Sequence, residues 1–128
     1  MLKALQSLAS KQQANITTHE VGADFIIGLD TNKNMLFFLK NTAEKTIENT
    51  LLLSDYKECR VLKFGKNGNA RNTSHTIETL KLEFIPKFNT QPTTQLELFN
   101  EDTNIQLNGE LEIVNTWHPI LQQKIAEA

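Results

Sequence analysis

Thr79-Leu80-Lys81-Leu82-Glu83-Phe84 alternates apolar and polar residues without a break, and Gln95-Leu96-Glu97-Leu98 repeats the pattern after a loop from Pro86 to Pro92. Successive side chains on a strand point to opposite faces. Leu80, Leu82 and Phe84 therefore share a buried side, with Leu96 and Leu98, while Lys81, Glu83 and Glu97 take the wet side. One face buried and one solvated is the habit of antiparallel sheets. Lys81 or Glu83 is expected across from Glu97 or Gln95.

Working backwards, Glu58–Phe64 and Ile47–Leu53 read as two more strands, separated by a break at Ser54-Asp55. Residues 65–74 hold Gly65 and Gly68 among turn formers and read as a surface loop. Phe25-Ile26-Ile27-Gly28-Leu29 and Met35-Leu36-Phe37-Phe38-Leu39-Lys40 flank the turn cluster Asp30–Asn34, the signature of a hairpin. Both runs are apolar on both faces, so the side away from the core also needs cover. The N-terminal segment can supply it. Residues 2–13 read as a short helix with Leu2, Leu5 and Leu8 in one stripe, too short to stand alone.

The C-terminus admits two readings. Asn108-Gly109 between Ile105–Leu107 and Leu111–Ile113 is a hairpin signal. Leu111, Val114, Trp117 or His118, Leu121 and Ile125 instead recur at helical spacing, with Glu110 and Glu112 at one end and Lys124 at the other. A helix over about 109–126 is the preferred expectation, kinked at Pro119. It would cover the core and give Trp117 a place to pack.

The expected fold is therefore mainly β (α+β): a bent antiparallel sheet or partly open barrel of six to seven strands. A C-terminal helix caps it. Residues 1–14 form a helix or lead-in, and 15–128 form a single domain. A chain of 128 residues is one domain by length.

Composition narrows function. Hydrophobic residues make up 39% and charged residues 22%, as in ordinary globular domains. No stretch reaches the length of a membrane span, and the N-terminus lacks a signal-peptide apolar run. The expected location is cytoplasmic. The single Cys59 excludes an internal disulfide framework. Mid-strand, it reads as a small buried hydrophobe, or, if exposed, as a thiol activated by Lys57 and Arg60. His19, His75 and His118 fit no metal-ligand spacing and read as surface or rim residues. There is no GxSxG motif and no phosphate-binding loop. Neither a catalytic residue nor a cofactor is assigned.

Charge is unevenly spread. The net of −2 resolves into −1 over residues 1–56, +4 over 57–87 and −5 over 88–128. No whole-protein field favours nucleic acid. Lys57, Arg60, Lys63, Lys66 and Arg71 lie close together with one acid, Glu58, and form a candidate anion-binding segment. Period two separates Lys57 and Lys63 from Arg60, so a bulge or strong twist is needed to gather them. The bland reading is mutual neutralisation within one domain.

Ile26-Ile27-Gly28-Leu29-Asp30 with Met35–Lys40, then Leu53-Ser54-Asp55, then Gly109–Ile125 with Trp117 follow an order that resembles the bacterial pleckstrin-homology-like domains. More closely, residues 16–126 resemble uncharacterised flavobacterial-type proteins that place a membrane segment ahead of such a domain. Pro119 departs from a clean capping helix. The resemblance implies a barrel capped by one helix, a non-enzymatic habit and a site near the inner face of the cytoplasmic membrane. It carries over no catalytic residue. The expected function is a binding or scaffold module with a protein partner. The alternatives are an anionic lipid headgroup or small anionic ligand at residues 57–71, and, last, a small enzyme.

Overall fold

The computed structural model describes residues 2–42, 44–65, 77–88, 90–100 and 109–127. The predicted first hairpin is present. Strands β2 (Phe25–Asp30) and β3 (Met35–Asn41) pair antiparallel from Phe25↔Lys40 to Asp30↔Met35. Asp30 builds the turn between them. Its Oδ1 accepts the N–H groups of Asn32 and Lys33 at 2.9 and 3.0 Å, and its Oδ2 accepts that of Asn15 at 2.9 Å. Asn34 completes the turn with a left-handed φ of 52°, which asparagine tolerates better than most residues.

All of β2 is buried, because both faces of the hairpin are covered. Phe25, Ile27, Leu29, Leu36 and Phe38 face the main core. Ile26, Phe37 and Leu39 face outwards onto Leu5, Leu8 and Ala9 of helix α1 (Leu2–Ser10). The expected cover is supplied by the expected helix. Gly28 permits it: a Cβ there would lie 2.6 Å from Leu5 Cδ2. α1 ends short of the expected Gln13, because Gln13 turns left-handed at φ 58° and the Ala14 N–H returns to Ala9 O at 3.0 Å.

Strand β1 (Thr18–Val21) pairs with β2, and β4 (Thr46–Leu52) with β3, giving a sheet in the order β1-β2-β3-β4. After a single 3₁₀ turn (Leu53–Asp55), β5 (Tyr56–Gly65), β6 (Ile77–Pro86) and β7 (Thr94–Asn100) form a second antiparallel sheet, β5-β6-β7. Among the described residues, seven strands make two sheets, which are not closed into a barrel. In the second sheet Lys81 stands opposite Glu97 and Glu83 opposite Gln95, as the alternation predicts. Leu80, Leu82, Phe84, Leu96 and Leu98 are buried, and Lys81, Glu83 and Glu97 are half-buried rather than exposed. Neighbouring side chains shield them: Lys81 Nζ donates to Gln95 Oε1 at 3.3 Å, and Gln95 Nε2 to Glu83 Oε2 at 3.0 Å.

Helix α2 (Glu110–Glu127) closes the core with Val114, Trp117, Leu121 and Ile125. The helical reading of the C-terminus holds, and the hairpin reading fails because Leu111–Ile113 belong to α2. The other arm of that hairpin, in 101–108, lies outside the described residues. Pro119 sits inside the helix on its exposed side. The Trp117 indole N–H reaches Glu20 Oε1 of β1 at 3.4 Å, tying the helix to the four-stranded sheet.

Candidate binding site along the edge of the three-stranded sheet

β5 is an edge strand, and α2 lies beside it. An edge strand carries backbone groups that the sheet leaves unpaired. At Cys59 the helix takes both. The Cys59 N–H donates to Gln122 Oε1 at 2.9 Å, and His118 Nε2 lies 2.7 Å from Cys59 O. His118 and Gln122 are four residues apart and so share one helix face. Together they present one donor-acceptor pair to the strand, as a neighbouring strand would.

Because Cys59 turns its backbone groups to the helix, the Cys59↔Phe84 pair is not one that exchanges ladder bonds with β6. The same phase returns two residues on, at Val61↔Leu82. Val61 therefore also aims its N–H and C=O away from β6. The groove between strand and helix has a volume of about 460 Å³, lined by Cys59, Val61, Leu62, His118 and Gln122 with Glu58 and Arg60.

The Cys59 side chain points the other way, into the core, with 2% exposure. Burial, followed by the charge of Glu58, pushes its thiol up to about 12. The buried-hydrophobe reading is right, and the activated-thiol reading fails because it required an exposed sulfur and burial disfavours the thiolate.

Of the candidate anion-binding residues, Lys57, Arg60 and Lys63 lie on β5, and Lys66 and Arg71 lie outside the described residues. A register shift between Tyr56 and Glu58 puts Lys57 in a bulge, where it is exposed. Arg60 faces solvent and is held by Glu58, Nε to Oε2 at 3.0 Å. The hydrogen bond and charge of this pair lower the Glu58 carboxyl and raise the Arg60 guanidinium. Lys63 is half-buried and follows the phase of Cys59 and Val61. The bulge the charges would need is present, yet these three do not share a face.

Among the histidines, His19 is exposed on β1, His118 is engaged at the β5 edge, and His75 lies outside the described residues. Among the described residues no group of three His, Cys, Asp or Glu is placed to hold a metal ion, and no helix is long and apolar enough to cross a membrane.

No family model matches the chain, and it has no match among the curated proteins or the solved structures compared with it.

Two features escaped sequence reasoning. The pairing of His118 and Gln122 with a strand edge is a contact across about sixty residues. Its only local trace is two polar side chains four apart beside the apolar stripe of α2. The second is Lys40, buried with 3% side-chain exposure although it is a charged residue at the end of the apolar run of β3. Its signal was its phase: it points the same way as Leu36 and Phe38, into the molecule.

Proposed function

We propose that this chain is a non-enzymatic binding module of pleckstrin-homology-like architecture, and that it receives an extended segment of a protein partner along β5, beside α2. The order of elements supports the architecture: a four-stranded meander, a three-stranded meander and a C-terminal helix. One observation carries the binding mode. At Cys59 the strand edge is already satisfied by side chains acting as a short stretch of neighbouring strand, and Val61 offers the same pair of groups next in line. An extended peptide that continues this pairing gains backbone hydrogen bonds from β5 and side-chain contacts in the groove. The alternative, an anionic headgroup at Lys57, Arg60 and Lys63, has less support, since Arg60 is occupied by Glu58 and its phase on the strand is opposite to that of Lys63.

The test is selection of short extended peptides displayed on phage against the folded domain, followed by amide-shift mapping. Peptides that bind are expected to move the amides of Val61 and Lys63. Val61→Pro removes the groove-facing N–H while sparing the β5–β6 ladder, and is expected to abolish that binding. Peptides that bind equally well to Val61→Pro, or that map to the opposite side of the domain, would refute the assignment.

A further inference from the structure

A second cavity is lined by residues of β3, β4 and β7, with none from α2 and none shared with the peptide groove. Phe38, Ile47 and Leu96 give it apolar walls, Asn49 contributes an amide, and Lys40 and Glu97 face it with opposite charges. Its volume is about 140 Å³. Sites for drug-sized ligands run to roughly 300–1,000 Å³, so the occupant here is small.

The charges in this cavity are loosely held. A buried ammonium is normally fixed by charge-assisted bonds of about 2.7–2.9 Å. Lys40 Nζ donates a bond of ordinary length, 3.1 Å, to the neutral Glu97 O, but its carboxylate partners stand farther off, Glu97 Oε1 at 3.4 Å and Asp24 Oδ2 at 3.9 Å. The Glu97 side chain is 35% exposed, so its carboxylate has a path to solvent. Lys40 is thus a nearly buried cation whose main ionic partner can swing away. An incoming carboxylate alone would meet Glu97 as a like charge, and an incoming amine alone would meet Lys40. A group carrying both charges satisfies both residues and adds no net charge to a poorly solvated space.

We infer that this cavity binds a free α-amino acid with an aliphatic side chain, of which leucine is the probe. Its carboxylate lies on Lys40 with the Asn49 amide as a further donor. Its ammonium lies on Glu97, and its hydrocarbon body lies against Phe38, Ile47 and Leu96.

The test is calorimetric titration of the full chain with L-leucine, beside 4-methylpentanoate, which lacks the ammonium, and isoamylamine, which lacks the carboxylate. Leucine is expected to bind, with each analogue weaker by about tenfold or more. Lys40→Met removes the charge while keeping an apolar stem, and is expected to lose leucine binding by a similar factor. Ile47→Phe narrows the cavity and leaves both charges, so it keeps the proposal open to refutation should Lys40→Met unfold. It too is expected to lose binding, with the melting temperature of the domain nearly unchanged. Absence of leucine binding at millimolar concentration would overturn the site, and so would undiminished binding by Ile47→Phe. Analogues that bind as well as leucine would overturn the double-charge pairing.

Discussion

Asp30 shows how much one side chain can organise. Burial works against its charge, yet the backbone N–H bonds from Asn15, Lys33 and Asn32, with the Lys33 charge, outweigh it and hold its carboxyl below the usual 3.8. Its contribution is therefore fully present above the unfolded value and is lost as pH falls through the folded one. Asp30→Ala is expected to cost about 2–3 kcal/mol near neutral pH by urea titration. The deficit should shrink in acid, where the wild type loses the same bonds. A deficit that does not change with pH would mean that the carboxylate is not the source. Cys59 gives the complementary case. With a thiol pushed up to about 12 and 2% exposure, it should resist iodoacetamide at pH 8 and react only as the domain unfolds. The burial of Cys59 was legible in the sequence from its phase on the strand. The role of Asp30 was legible only as membership of a turn cluster, because its third bond comes from Asn15, outside that cluster.

At the level of elements, the exposed edges of the three-stranded sheet are managed by side chains from elsewhere. On β5, His118 and Gln122 take the groups of Cys59, and on β7, Lys40 takes Glu97 O. Such caps satisfy backbone groups that a bare edge would leave unpaired; on β5 the cap ends at Cys59, which leaves Val61 as the next edge position. Gln122→Ala or His118→Ala leaves a half-buried backbone group without its protein partner, which is expected to cost about 1–2 kcal/mol each. The two should be non-additive in a double-mutant cycle, since they hold one residue. Strict additivity would argue that the pair does not act as a unit. The register of the second sheet predicts a sharper contrast. Leu82→Ala is expected to cost roughly 2–5 kcal/mol, and Glu83→Ala less than about 1, by denaturant titration. The strands themselves were largely legible, because alternation is a local signal. β1 was not: its four residues are all exposed and show no burial phase, so only pairing with β2 makes them a strand.

At the scale of the whole molecule, apolar packing among the described residues divides into two clusters on opposite faces of the four-stranded sheet. The larger joins both sheets and α2, and the smaller joins α1 to Ile26, Phe37 and Leu39. That β2 and β3 needed cover on both sides was written in their unbroken apolar runs. That α2 would meet β5, and that Lys40 would span from β3 to β7, was not, because both rest on the relative placement of two sheets that no local period encodes. The division predicts unequal stability. The larger cluster holds Phe25 and Phe38, stacked with ring centroids 5.6 Å apart, and it does not depend on α1. Gly28 is the point at which the smaller cluster can be broken alone, since any side chain there meets Leu5, which is itself fully buried. Gly28→Val is therefore expected to displace α1 while leaving the β5–β6–β7 sheet and α2 in place. Hydrogen exchange should show amides of α1 losing protection, those of β6 keeping theirs, and Trp117 fluorescence staying unchanged. Loss of protection throughout the domain would show instead that the outer helix is part of one cooperative unit with the core.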